Sequence, residues 1–272
     1  MIRQRFSWAV LAVLVLAQIY YPLTTGGTRA RLTVATVVLG YLLAVGHALL
    51  NRGPRTAAAL VAVATGGGFA IEALGVATGF PFGSYDYSGE LGPKLAGVPL
   101  IIPLAWTWMA WPAWLTAVRL TGSVPGRIAL AAVGLAAWDL FLDPQMVAEG
   151  YWVWRDADPA LPGLPGIPVS NYLGWLLFAV LLMSALRPLA GPAVARVDAR
   201  DDPMFALYLW TYFSSVLAHA VFLDLPASAV WGAAGMSVAA VPLAVTLVRA
   251  HWRGAERREP GRSRRTGVDA TA

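Results

Sequence analysis

Eight apolar stretches constrain this chain more than any other feature. They cover residues 6–23, 32–50, 56–76, 98–120, 128–143, 171–186, 204–222 and 228–248. Most approach the ~20 residues that a helix rising ~1.5 Å per residue needs to cross a ~30 Å hydrocarbon core. They are apolar around the whole circumference rather than along one stripe, as expected of helices surrounded by lipid. In lipid each backbone N–H and C=O must be satisfied within its own segment. The expected fold class is therefore all-α, a polytopic membrane bundle of about eight transmembrane helices. The first stretch follows Arg3 and Arg5 and shows no small-x-small cleavage pattern before Gln18, so it reads as a membrane helix rather than a signal peptide.

Charge then orients the bundle. Eight spans with the N-terminus inside place 16 Lys and Arg on the inner side, among them Arg52, Arg55, Arg119, Arg127, Arg187, Arg196 and Arg200. The outer side holds 4, namely Arg29, Arg31, Lys94 and Arg155. This asymmetry predicts a multi-pass protein of the cell membrane with both termini cytoplasmic. The net charge of +5 is thereby a topology signal, and nucleic acid is not expected as a partner. Only 13% of residues are charged, about half the share of a soluble domain, so each acid within an apolar stretch is informative. The absence of cysteine excludes disulfides, thiolate nucleophiles and zinc–cysteine sites, and the three histidines share no ligand spacing. No metal or other cofactor is expected. Residues 1–252 read as the membrane domain, and 253–272 as a disordered basic cytoplasmic tail.

The acids gather at the outer side. Glu72, Asp86, Glu90, Asp139, Asp143, Glu149, Asp156, Asp158 and Asp224 all fall at or beyond the outer ends of their segments. The positive-inside rule does not account for this bias. Two long outer loops, 77–97 and 144–170, are rich in Gly, Pro and aromatic residues. That composition suits defined turns and space-filling rather than a flexible linker, so the loops are expected to fold over the bundle as an ordered lid.

The densest stretch is 137–154, A-W-D-L-F-L-D-P-Q-M-V-A-E-G-Y-W-V-W. Asp139 and Asp143 are four apart and share a helix face. Pro144 is expected to end that helix, with Asp143 at the mouth and Asp139 one turn deeper. Glu72 lies in the third stretch among glycines that allow close helix approach. Asp86 lies between Tyr85 and Tyr87, and Asn171 opens the sixth stretch. Each also has an ordinary reading: interfacial acids for Asp139 and Asp143, a structural hydrogen bond to a neighbouring helix for Glu72, a turn residue for Asp86 and a helix N-cap for Asn171. Trp138, Trp152, Trp154 and Trp175 can likewise form an interfacial belt.

Taken together these residues suit one chemistry. A carboxylic acid kept neutral by burial can protonate an alkene. Aromatic faces and a carboxylate can stabilise the resulting carbocation. A second carboxylate can deprotonate an attacking water. That is hydration of a lipid double bond. Asp139 or Asp143 is the expected general acid, Glu72 or Asp86 would position water, and Asn171 would orient one of them. Tyr85, Tyr87, Trp138, Glu149, Trp152, Trp154 and Trp175 would surround the substrate. Three alternatives stay open. An Asp-x-x-x-Asp pair can bind magnesium diphosphate in a prenyltransferase-like enzyme, intramembrane acids also mark proton-coupled transporters, and the third is a non-catalytic lipid-binding scaffold.

The stretches 79–100 (G-F-P-F-G-S-Y-D-Y-S-G-E-L-G-P-K-L-A-G-V-P-L), 139–154 and 166–175 (G-I-P-V-S-N-Y-L-G-W) resemble the CruF-type carotenoid hydratase family of integral-membrane carotenoid biosynthesis proteins. The resemblance covers most of the region from Glu72 to Trp175. It implies addition of water across the terminal double bond of an acyclic ψ-end carotenoid, of gamma-carotene, lycopene or bacterioruberin-precursor type, to give a tertiary alcohol. It also suggests other carotenoid-pathway enzymes as partners. The chain departs from the family at Leu164 and Pro165, where aromatic residues are usual. That departure bears on end-group preference more than on reaction type.

Overall fold

The structure, a computed structural model, describes residues 2–256. Its helices are α1 (Ile2–Tyr20), α2 (Gly26–Arg52), α3 (Pro54–Leu60), α4 (Gly67–Thr78), α5 (Ile102–Leu120), α6 (Val124–Ala136), α7 (Asp139–Ala148), α8 (Val169–Ala190), α9 (Asp202–Leu217) and α10 (Pro226–Glu256). A π-helical turn, Val61–Gly66, joins α3 to α4, and another, Ala218–Phe222, extends α9. The result is an all-α polytopic bundle. Of the tail expected to be disordered, residues 253–256 continue α10, and 257–272 lie outside the described residues.

Seven of the eight expected crossings are long and apolar enough to span a membrane. The eighth is α5, which carries Trp106, Trp108, Trp111 and Trp114 and sits at the centre of the bundle with all but three of its nineteen residues buried. Its indoles meet protein rather than lipid. Trp111 donates to His47 Nδ1 at 3.0 Å and Trp114 to the Val194 carbonyl at 3.0 Å. A buried indole N–H needs such an acceptor, and a helix wrapped by its neighbours can supply one.

The short fifth stretch is resolved differently from expectation. The chain turns at Ala137 and Trp138 between α6 and α7, and the two helices together cross over Val124–Ala148. Pro144 does not end the helix at Asp143; α7 runs through it for another turn. Proline withdraws the N–H that would bond the carbonyl four residues back. That carbonyl, Leu140 O, instead accepts from Ser228 Oγ of α10 at 2.7 Å. Neighbouring helices commonly re-satisfy the backbone at prolines in membrane helices. Asp143 consequently lies inside the helix rather than at its mouth.

Both long loops lie at one end of the bundle, here called the lid end, and they fold together. Strand β1 (Tyr85–Tyr87) pairs antiparallel with β4 (Trp152–Trp154), with Tyr85 opposite Trp154, Asp86 opposite Val153 and Tyr87 opposite Trp152. The first loop adds a hairpin of β2 (Lys94–Leu95) and β3 (Val98–Pro99). Alternation along β1 and β4 turns Tyr85, Trp152 and Trp154 into the bundle, while Asp86 and Val153 are exposed. The opposite end is tied by a buried ion pair: Arg52 Nη2 lies 2.7 Å from both Asp201 carboxylate oxygens.

Candidate active site

Beneath the β1–β4 pair, four helices present polar side chains to one another. Glu72 comes from α4, Asp139 and Asp143 from α7, Asn171 from α8 and Trp106 from α5. Their residues are nearly sealed from solvent, with relative exposures of 3% for Glu72 and Asp143, 2% for Asn171 and 0% for Asp139.

Two hydrogen-bond networks result. Asn171 Nδ2 donates to Asp139 Oδ2 at 2.9 Å and also to Asp143 Oδ2, so one amide nitrogen bridges the two carboxyls. Trp152 Nε1, from the lid, donates to Asp143 Oδ1 at 3.1 Å. Asp139 Oδ1 is buried without a donor, and the Asp143 carboxyl is its neighbour. Glu72 receives three donors: Trp106 Nε1 to Oε1 at 2.9 Å, and Tyr85 and Tyr87 Oη to Oε2 at 2.7 and 2.8 Å. Burial, and then the Glu72 carboxyl beside them, push both phenols above the ordinary tyrosine range, so both remain O–H donors. A carboxylate has about four lone-pair sites. Glu72 therefore keeps one acceptor position, on Oε1.

A cavity of about 40 Å³ lies between the networks. Glu72, Asp143 and Asn171 line it, together with Phe82, Tyr85, Tyr87, Trp106, Trp152, Trp154 and Trp175. No Lys, Arg or His stands among its lining residues. The walls are aromatic faces in contact. Trp106 stacks on Trp175 with centroids 3.7 Å apart, and Tyr87 meets Trp152 edge-on at 5.4 Å. Close backbone approach makes the packing possible. A Cβ on Gly75 would lie 2.7 Å from Tyr85 Oη, and one on Gly174 would lie 2.8 Å from Phe82 Cδ1.

Nine of the twelve residues singled out from the sequence converge on this site: Glu72, Tyr85, Tyr87, Asp139, Asp143, Trp152, Trp154, Asn171 and Trp175. Among them Asp143 lines the cavity, and Asp139 does not. Three residues are placed elsewhere. Asp86 points to the surface and pairs with Arg155 at 2.7 Å. Glu149 pairs with Arg29. Trp138 lines a neighbouring chamber beside Trp108. Trp106 was not anticipated, although an indole N–H on an apolar helix calls for a buried acceptor. Phe82 and Thr33 also line the cavity without a local signal. Among the described residues no three His, Cys, Asp or Glu side chains gather in a way that could hold a metal ion.

The model of a family described as carotenoid biosynthesis protein matches residues 32–250, most of the chain and all of the site. The chain belongs to the carotenoid biosynthesis protein family. It is a multi-pass membrane protein, as its apolar helices and this family indicate. A relative named bisanhydrobacterioruberin hydratase, from Haloarcula japonica, is 38% identical over 122 residues. The match takes in 42% of this chain and 40% of that relative's length. No solved structure matches this member of the family.

Proposed function

We propose that this carotenoid biosynthesis protein adds water to the terminal double bond of an acyclic ψ-end carotenoid, giving a tertiary alcohol. The observation that carries the reading is the site itself. Glu72 and Asp143, the latter linked to Asp139 through one amide, border a cavity with aromatic walls and no basic residue. The family and the name of the relative support the same substrate class and reaction. A diphosphate substrate would need cations, and the cavity lining has none.

In the proposed reaction the terminal end of the polyene enters the cavity. Asp143, which faces it, is the proton donor. Asp139 lies behind Asp143 and positions it through Asn171. A donor-free oxygen of Asp139 beside another carboxyl is satisfied when the pair holds a proton, which supports this arrangement. Proton transfer from Asp143 to the CH carbon of the double bond leaves the positive charge on the dimethyl-bearing carbon. Trp106, Trp152, Trp154 and Trp175 surround that cation, and each aromatic face in a dry site contributes on the order of 0.5–2 kcal/mol. Water held by the remaining acceptor position of Glu72 adds to the cation through oxygen. The proton it releases passes to a site carboxylate, and exchange within the site restores the acid. The alkene gains one water, and no redox change occurs.

The arginine distribution supports cytoplasmic termini in the cell membrane. Arg119, Arg187, Arg196 and Arg200 all fall at the end of the bundle opposite the lid. The lid end would then face outward.

The test is pigment chromatography and mass spectrometry of hosts making lycopene, gamma-carotene or a bacterioruberin precursor, with and without the chain. The expected result is a new, more polar pigment heavier by one water. An unchanged pigment profile in all three hosts, with the protein present in the membrane, would overturn the reading.

A further inference from the structure

We infer that a second chamber, next to the carboxylate site, is a binding site for ordered water that feeds the reaction proposed above. The inference rests on that reading for its catalytic part alone.

The chamber has a volume of about 110 Å³ and is bounded by α1, α2, α5, α7 and α9. Four residues, Thr33, Val37, Leu142 and Met146, line both it and the carboxylate cavity, so the two spaces share one wall. Its chemistry is different. Gln18, Thr36, Gln145, Thr211, Ser214 and Ser215 place amide and hydroxyl groups around it. The hydroxyls of Thr36 and Thr211 donate to carbonyls of their own helices, Thr33 O at 3.0 Å and Leu207 O at 2.9 Å. Their oxygens keep lone pairs to accept from a guest.

Two donors complete the case. Tyr21 Oη and Trp108 Nε1 are buried without a hydrogen-bond partner, in residues 7% and 5% exposed, and both residues line this chamber. Thr33 and Gln145 are the side-chain neighbours of Tyr21 Oη. A buried donor left unmatched is destabilising. A polar cavity offering two to four partners is where buried water resides. Donors, acceptors and space coincide here, and a water's dimensions and its mixed donor–acceptor character match all of them. A polyene would match none of the polar groups. The route from chamber to site crosses Leu142 and Met146, both on the helix that carries Asp143.

The experiment is hydroxyl-radical footprinting of the full chain in lipid nanodiscs, read by mass spectrometry. Radicals formed from bound water label the side chains that touch it. Tyr21 and Trp108 are expected to label several-fold faster than Trp111 and Trp114, which are fully buried with their indoles bonded to protein. Equal protection of all four overturns the inference, whatever reaction the protein catalyses. A second arm fills the chamber with Thr36→Leu or, from the opposite wall, Ser214→Val. Either folded variant is expected to lose kcat for hydration several-fold with KM for the carotenoid unchanged. Unchanged kcat in both overturns the supply role. Fast labelling in a wild-type protein without hydratase activity supports the water site and defeats the reaction proposed above, so the two failures are distinguishable.

Discussion

Trp152 reaches down from the lid to Asp143, its indole Nε1 3.1 Å from Oδ1, while its backbone stands opposite Tyr87 in the β1–β4 pair. One hydrogen bond thus couples closure of the lid to the orientation of the carboxyl that faces the cavity. Trp152→Phe keeps the ring and removes the donor. Hydrogen bonds to a charged or titrating group contribute about 1.5–3 kcal/mol. The variant is expected to lose roughly ten- to a hundredfold in kcat and to melt at a lower temperature because an Asp143 oxygen is left unmatched, measured by product formation in membranes and by a melting curve.

Asp139 and Asp143 are predicted to separate by mutation although they are one helical turn apart. Asp143→Asn removes the group proposed as proton donor and should reduce hydroxycarotenoid formation by about 10²–10⁴-fold. Asp139→Asn leaves the cavity-facing acid in place, and should lower the rate less and shift the pH profile. Equal losses in product assays of the two variants at matched expression would sink the distinction drawn from cavity geometry.

Gly75 lies under the lid tyrosine that bonds Glu72. A methyl group there would meet Tyr85 Oη at 2.7 Å and Phe82 Cδ2 at 2.9 Å. Gly75→Ala is expected to displace Tyr85 from Glu72, with about 1–3 kcal/mol of lost stability from overpacking. Tyrosine fluorescence and the melting temperature should both report it, and activity should fall with them. A variant with wild-type melting and activity would show that the lid yields freely.

Asp86→Asn is predicted to leave the reaction intact. The carboxyl is on the outer face of β1, and hydrogen bonds from Arg155, with its positive charge, hold it below the usual carboxylate range. A folded-state pKa below the unfolded value contributes stability at pH above the unfolded value. That contribution is lost as pH falls through the folded value. The pair's exposure to solvent keeps it small. Pigment yields and neutral-pH melting should match wild type, and a large loss of product would return Asp86 to the site.

Arg52→Ala tests the far end of the bundle. Asp201 is fully buried and accepts from this guanidinium at both oxygens. Removing one member of a buried pair costs about 3–5 kcal/mol, because the other charge stays behind. Thermal denaturation in detergent should show a large drop, with the residual folded protein keeping the proposed activity. Wild-type melting would show that Asp201 finds other partners.

The uneven legibility of the site has a physical pattern. Asp139 and Asp143 could be paired from spacing alone, because a helix places residues four apart on one face. The outward turn of Asp86 could not, since it depends on β1 pairing with β4, where Asp86 stands opposite Val153, and on a partner, Arg155, that is 69 positions away. Even so, Y-D-Y carries the alternation that would separate Asp86 from its flanking tyrosines. Trp106 was hidden because its acceptor, Glu72, lies 34 residues away on another helix. Pro144 was misread because the donor that compensates it, Ser228, lies on α10.

By itself, the sequence determined that this chain crosses the membrane as a helical bundle, and it identified most of the carboxyls and aromatic residues that meet in it. Backbone desolvation in lipid must be answered within each segment, so that information is local. Tertiary structure alone decided which aspartate faces the cavity, which acid is spent on a surface pair, and where a polar chamber adjoins the site. Those outcomes depend on donors and walls supplied by helices far apart in the chain, and only packing brings them together.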